Sequence, residues 1–333
     1  MGSKNKQRKR KKFLDASLPE KFVERMELIM GPAIYRDVAK TFVTRPTTFR
    51  VNTIKADRGE VATALRKLGY KITQVAWNKD AFILENKSKR ELTEVALYKE
   101  GKIYLQSLAS MVPPLVLDAQ PGERVLDLTA APGSKTSQIA AQMQKSGELL
   151  ANELNKVRFF KLQHNMEHLG VVEPVEDMPW VFTLRMEDGS MLTHEYPEYF
   201  DKILVDAPCS GEARFVDGEP KTYGFWKLSK IKQLAYTQQK LLFAAWSALK
   251  PGGVLVYSTC TMAPEENEVR IDKLLNRLGD EAVVEDITLD GLKHMKPILE
   301  WKERKLHRDV GKTLRILPTK EVEGFYIARI GKK

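Results

Sequence analysis

Two hydrophobic periods alternate along this chain. From Leu18 to Phe42 apolar residues recur at helical spacing, at Phe22, Met26, Ile29, Met30, Ile34, Val38 and Phe42. Gly31-Pro32 interrupts that run and predicts two helices rather than one. Thr48-Phe-Arg-Val-Asn-Thr-Ile54 switches to the two-residue alternation of a strand. A helix over 60–68, stopped by Gly69, and short strands over 71–77 and 81–84 complete a small α/β unit. Arg50 and Asn52 are expected near its surface.

Beyond Gly101 the predicted strands become solidly apolar, as strands covered on both faces are. They are expected at 125–129, 149–153, 180–186, 200–206 and 254–258. A helix follows the turn 130–136 as far as Gln144, and others span 155–169 and 229–249. The last of these places Ile231, Leu234, Leu241, Leu242, Ala245 and Trp246 on its core side. Strands alternating with helices predict an α/β fold with a doubly wound, mostly parallel sheet. Segments 283–287, 313–317 and 324–330 are expected to finish it, the last two as a hairpin-like edge.

Such sheets bind ligands beyond the carboxyl ends of their strands, and polar residues collect there. The first strand delivers Asp127 and the turn Ala130-Ala-Pro-Gly133, the second Glu153, and the third Asp188 just past its end. The fourth delivers Asp206 and Cys209, the fifth Cys260. An acid ending the second strand is the usual grip on two ribose hydroxyls. An acid after the third can accept from an adenine amino group, and small turn residues admit a cofactor close to the backbone. A single acid at a strand end often only caps a helix; the ordered set points to an adenosine-containing cofactor. A phosphate loop is disfavoured, because Ser134 and Thr129 stand where its glycines belong, and the nicotinamide fingerprint G-x-G-x-x-G is missing after the first strand. S-adenosylmethionine remains, with Lys135 or Asp127 toward its amino-acid end.

Composition narrows the setting. The 333 residues suffice for two or three packed units, and 43% hydrophobic with 29% charged residues is the balance of a soluble globule. No apolar run is long enough for a bilayer and no signal peptide opens the chain. The two cysteines make no disulfide framework, and no Cys/His spacing suits zinc; His164 and His168 lie one turn apart without the zinc-protease order. A reducing, cytoplasmic location and no metal are expected. The formal net charge is +10, and between Lys4 and Lys12 only Asn5 and Gln7 are not basic. That arm is either a solvated tail or a phosphate-binding one.

Several motifs then converge. They are Phe49-Arg-Val-Asn-Thr-Ile-Lys55, Gly101-Lys-Ile-Tyr-Leu-Gln-Ser-Leu-Ala-Ser110, Asp127-Leu-Thr-Ala-Ala-Pro-Gly-Ser-Lys-Thr136 and Ala151-Asn-Glu153 with Arg158. Glu187-Asp-Gly189, Asp206-Ala-Pro-Cys-Ser-Gly211, Tyr257-Ser-Thr-Cys-Thr261 with Glu265-Glu-Asn-Glu268, and Gly324-Phe-Tyr-Ile-Ala328 complete the set. Together they resemble the Sun family of RNA (cytosine-5) methyltransferases, most of all its bacterial small-subunit ribosomal RNA branch. Thr129 and Ser134 depart mildly from the family pattern, which more often has Cys and Gly there. The resemblance implies a Rossmann-like S-adenosylmethionine-dependent methyltransferase domain behind a smaller N-terminal α/β domain. It implies that Thr129, Ala130, Ala131, Pro132, Gly133, Ser134, Lys135, Glu153, Asp188 and Asp206 bind S-adenosylmethionine, with Arg158 supporting the site. It makes Cys260 the nucleophile and Cys209 the residue that assists product release.

The chemistry calls for such a pair. Carbon C5 of cytosine is a poor nucleophile until a thiolate adds at C6, and the C5 proton must leave before that thiolate can be expelled. Free cysteine is only about a few per cent thiolate near neutral pH, so a nearby cation is expected, with Lys135 the candidate. Asp206 is expected to hydrogen-bond the cytosine edge. Two inert buried thiols are the alternative, but Pro208 before one and Ser258-Thr259 before the other argue against it. A base inside a helix must be flipped out. Arg214, Phe215, Lys221, Tyr223, Phe225 and Trp226, after Cys209, are expected to contact phosphates and stack on bases; a plain loop anchored by one tryptophan is the alternative.

The expected organisation is a basic arm at 1–17, an RNA-binding α/β domain at 18–100 and the catalytic domain at 101–333. The chain is expected to act as a monomer on ribosomal RNA, with no membrane or obligate protein partner. Transfer RNA as substrate, or a non-catalytic RNA-binding or ribosome-assembly role, are the alternatives.

Overall fold

The computed structural model describes residues 17–174 and 179–333; the basic run Lys4–Lys12 lies outside them. Helix α1 (Glu20–Ala39) bends at Gly31, whose φ of 77° and ψ of 154° leave the helical region, with Pro32 next. Its buried face, including Phe22, Met26, Ile29 and Val38, shares a core with Ala213, Phe215, Tyr223, Met262, Trp301 and Leu317. Phe22 lies 4.9 Å from the Phe215 ring and 5.8 Å from that of Trp226. This corrects the reading of the loop after Cys209. Phe215 and Tyr223 are buried as anchors for α1, while Arg214, Lys221 and Phe225 stay exposed. Aromatic and basic residues interleave in the same way for both purposes; the apolar face of α1 decides between them.

The small sheet comprises β1 (Thr48–Val51), β2 (Ile72–Val75), β3 (Asn78–Leu84) and β4 (Ile103–Leu105), all antiparallel in the order β2-β3-β1-β4. Helix α2 (Arg58–Lys67) is capped by Asp57, which accepts from Gly59 N at 2.7 Å. Helices α3 (Lys89–Glu94) and α4 (Ala96–Lys99) precede β4. Because β4 pairs with β1, this sheet runs past residue 100, where the sequence placed the boundary.

Arg50 and Asn52 are not at the surface. They are 2% and 0% exposed, and they fasten the small sheet to the large domain. Arg50 donates to Ser137 Oγ (2.8 Å) and Gln106 Oε1 (3.2 Å), and Asn52 Nδ2 to the carbonyls of Gly101 (2.8 Å) and Leu169 (2.9 Å). Burial lowers the Arg50 guanidinium to about 10. Strand alternation locates such residues on a face but does not say what covers that face.

The large domain begins with α5 (Val112–Leu117), β5 (Arg124–Asp127), α6 (Ser134–Gln142), β6 (Gly147–Asn152), α7 (Lys156–His168), β7 (Trp180–Arg185) and α8 (Gly189–Leu192). It continues through β8 (Phe200–Asp206), α9 (Leu228–Ala248), β9 (Leu249–Thr259), α10 (Glu268–Leu278), β10 (Ala282–Glu285) and β11 (His294–Met295). The hairpin β12 (Glu300–Trp301) and β13 (Arg304–Lys305) precedes β14 (Leu314–Ile316) and β15 (Phe325–Lys332). The main sheet runs β11-β14-β15-β9-β8-β5-β6-β7, with β10 also on β15. Strands β5 to β9 are mutually parallel and β15 is antiparallel to β9.

Neighbouring residues of each central strand feed opposite layers, the consequence of a two-residue repeat. Val125, Leu149, Leu204 and Val256 pack with Ile139, Leu162 and Met166 from α6 and α7. Leu126, Leu150, Ile203 and Leu255 pack with Leu241, Leu242 and Trp246 from α9. The β14–β15 hairpin forms as expected but is not an edge, since β15 lies inside the sheet and β11 takes the margin. Among the described residues no helix is long and apolar enough to cross a membrane.

Candidate active site

The carboxyl ends of β5 to β9 converge on one rim. After β5 the Ala131–Pro132 peptide is cis and Gly133, at φ 101°, leads into α6. A Cβ on Gly133 would stand 2.5 Å from Met166 Cε, the flexible end of a side chain, so α7 packs closely against the turn, and the positive φ is what favours glycine there. Glu153 follows β6. Its Oε1 accepts from Asn155 N (2.9 Å) and its Oε2 pairs with Arg158 (3.1 Å), which also donates to Ala131 O (2.6 Å). Arg158 therefore ties the acid to the turn. Asp188 is exposed and caps α8; hydrogen bonds from the Ser190 hydroxyl and N–H hold its carboxyl below the usual range.

Asp127 is buried, and burial pushes it up to about 7. Its Oδ2 accepts from Thr136 Oγ1 (2.7 Å), whereas its Oδ1 has no partner among the described residues. Thr129 Oγ1 donates to Asp206 O (2.9 Å). This part of the rim presents acids and small turn residues rather than a cation cluster. Such a donor set fits the hydroxyls, amines and cationic sulfonium of S-adenosylmethionine, with Asp127 Oδ1 as an acceptor still without a donor. It does not suit a run of phosphates.

Lys135 faces the cysteine side of the rim. Its Nζ lies 2.6 Å from Asp206 Oδ2 and 2.9 Å from Ser110 Oγ, while Asp206 Oδ1 accepts from Ser258 Oγ (2.8 Å). The Cys209 and Cys260 sulfurs are 3.3 Å apart. The hydrogen bond from Cys209 is the largest influence lowering Cys260, to about 7; Arg214 comes next and Lys135 contributes less. The same contact raises Cys209 well above the ordinary thiol range. Lys135 is thus a lesser cation for Cys260 than Arg214, which the sequence suggested for phosphate contact.

Sequence reasoning missed the layer beneath the thiols. Ser210, Glu212, Gln238, Thr261 and Glu266 are all buried and hydrogen-bonded to one another. The available signal was the polar run Glu265-Glu-Asn-Glu268 at the head of a helix, noticed as a motif but assigned no role. Each of its residues has a separate partner. Glu265 takes Arg25 (2.7 Å) and Lys302 (2.8 Å), which hold it at about 2 despite burial. Glu266 takes Ser210, Asn267 takes Thr259 Oγ1 (2.5 Å), and Glu268 takes Arg315.

Two family models cover the chain. One, described as 16S rRNA methyltransferase RsmB/F, matches residues 114–331, and one described as the N-terminal domain of 16S rRNA methyltransferase RsmF matches residues 18–108. A tRNA (cytosine(49)-C(5))-methyltransferase of Pyrococcus abyssi is 36% identical over 292 residues, which is 86% of this chain and 88% of that protein. The ribosomal RNA small subunit methyltransferase F of Vibrio vulnificus is 36% identical over 321 residues. That match takes in 95% of this chain but spans only 64% of the relative's length. A solved methyltransferase homolog protein from Pyrococcus horikoshii has a TM-score of 0.78 at 31% identity, covering 95% of this chain and 96% of its own.

Proposed function

The chain belongs to the RsmB/F family of 16S rRNA methyltransferases, and from that premise we propose that it methylates carbon C5 of a cytosine in RNA. The observation that carries this reading is the pair of thiols 3.3 Å apart, one favoured as thiolate and the other as thiol. Cys260 Sγ adds to C6 of the base, and the electron pair of the C5–C6 bond becomes available at C5. S-adenosylmethionine, when bound, would supply the electrophilic methyl to that C5 pair, its sulfur keeping the S–CH3 electrons and leaving as a neutral thioether. Glu153 and Asp188 would hold its adenosine, the turn 129–134 with Asp127 its amino-acid part, and Arg158 fixes Glu153. Asp206, oriented by Lys135 and Ser258, accepts from the exocyclic amino group of the cytosine. Cys209 releases its own proton to solvent once Cys260 is bonded to carbon, then takes the C5 proton as thiolate; the C5–H pair re-forms the double bond, and Cys260 leaves as thiolate.

Ribosomal RNA is the favoured substrate because the N-terminal match is to the RsmF domain. Transfer RNA is the second reading, supported by the Pyrococcus abyssi relative, whose length this chain nearly spans. Residues 18–108 and the basic arm would handle the RNA. Incubation with labelled S-adenosylmethionine and each RNA class, followed by mapping of 5-methylcytosine, tests the reading. Label on neither RNA would leave an RNA-binding factor without catalysis.

Two outcomes follow. The single-turnover rate should rise with pH as Cys260 ionises and level off above about 7. The reactive form is the thiolate, so the sign is upward; a profile still climbing through about 8.5 would mean an unperturbed nucleophile. Removal of residues 1–12 should weaken RNA binding and flatten its salt dependence, each lost phosphate contact reducing the log–log slope by about 0.7–0.9. An unchanged slope in a filter-binding titration would reduce the arm to a solvated tail.

A further inference from the structure

We propose that a buried hydroxyl bridge between Ser210 and Thr261, clamped by Glu266 and Glu212, holds Cys209 and Cys260 at working distance and thereby governs release of the methylated base. The proposal rests on the catalytic reading above. Ser210 directly follows Cys209, and Thr261 directly follows Cys260. Their hydroxyl oxygens are 2.7 Å apart, and both residues are buried. Glu266 accepts from the Ser210 N–H (3.0 Å) and from its hydroxyl. Glu212 accepts from Thr261 Oγ1 (2.9 Å) and Met262 N (3.2 Å). The loop after β8 and the loop after β9 are thus joined immediately behind the two thiols. Ala213 N, donating to Cys260 O (3.2 Å), adds a further stitch, and Gln238 from α9 grips both Pro208 O (2.9 Å) and Glu266 (2.8 Å).

A proton count supports a single rigid unit. The contacts Glu266–Ser210, Ser210–Thr261 and Thr261–Glu212 need three protons, and two hydroxyls supply two. The third can come from a carboxyl that donates to its hydroxyl instead of accepting from it, and burial raises both acids, Glu266 to about 7. None of these residues touches the base in this account; they act through the sulfurs as positioning residues. Release depends most on the bridge, because it needs Cys209 within reach of an adduct held by Cys260. A misplacement of about 1 Å can cost on the order of a hundredfold in rate.

The test uses the full chain carrying Thr261→Val, Ser210→Ala or the conservative Thr261→Ser, each checked by thermal melting. Diamide, a thiol oxidant, is the RNA-free probe: two thiols give up two protons and two electrons, an S–S bond forms and diamide becomes the hydrazine. In Thr261→Val and Ser210→Ala that closure should slow by about tenfold or more, and in Thr261→Ser by less than about twofold. With RNA and S-adenosylmethionine, the first two should accumulate a covalent protein–RNA adduct while adduct formation slows by less than about threefold. A folded Thr261→Val that closes and turns over like the parent overturns the proposal, as does a parent whose thiols resist diamide. Failure of the catalytic reading shows itself separately, as absence of any adduct in Cys209→Ala while the diamide series behaves as stated.

Discussion

Replacing Cys260 with alanine should abolish methyl transfer, by about four orders of magnitude or more, as expected for a lost covalent nucleophile. Cys209→Ala should do something different. Addition to C6 still proceeds, but the C5 proton has no acceptor, and the protein should remain bonded to RNA through denaturing electrophoresis. The two outcomes differ because the sulfurs are in contact yet held in opposite ionisation states. Cys260 is only 8% exposed and is lowered to about 7, first by the hydrogen bond from Cys209. Losing Cys209 therefore also removes part of what favours the thiolate, so adduct formation in Cys209→Ala should be slower at neutral pH and recover at higher pH. An adduct seen with Cys260→Ala and not with Cys209→Ala would reverse the assignment.

The second large effect concerns stability. Arg315 on β14 and Glu268 at the start of α10 are fully buried, and their hydrogen bonds are 2.9 and 2.5 Å. Arg315 also donates to Met262 O (2.8 Å), two residues beyond Cys260. Arg315→Met strands the Glu268 charge in the core and should cost about 3–5 kcal/mol, read as a fall in urea midpoint at unchanged slope. Adding Glu268→Leu should recover much of that loss, because the penalty is an unpaired buried charge rather than a missing attraction. If the single and double variants are equally destabilised, the arginine matters through its bond to Met262 and its packing instead. An account in which the pair is dispensable predicts no loss in either.

Legibility in the sequence followed the distance between partners. The strand–helix alternation and the rim of Asp127, Glu153, Asp188, Asp206, Cys209 and Cys260 could be read because each residue lies at or just past the end of a strand-like run. The family motifs added the two cysteine roles. Arg50 was misplaced because its partner Ser137 lies on α6, far along the chain, and a basic residue in an alternating strand ordinarily faces water. The aromatic loop was misread because α1, which covers it, looks in sequence like part of the small unit. The position of β15 escaped because a hairpin pattern does not reveal that its second strand also pairs with β9. The carboxyl layer of Glu212 and Glu266 was missed for a related reason: even inside a motif, two acids read as solvated until burial and their partners are known.

The contact between the two sulfurs also works as an interlock. While Cys260 carries negative charge, Cys209 is kept in its protonated form and cannot remove a proton from anything. On the proposed mechanism, once Cys260 is bonded to carbon the hydrogen bond that most raises Cys209 and the thiolate charge beside it are gone; burial and Glu266 still raise it, and Arg214 opposes them. On that proposed mechanism, completion of the attack eases ionisation of Cys209, and expulsion of Cys260 reverses the effect. On that reading, two thiols at 3.3 Å would give the reaction cycle its order without any moving part.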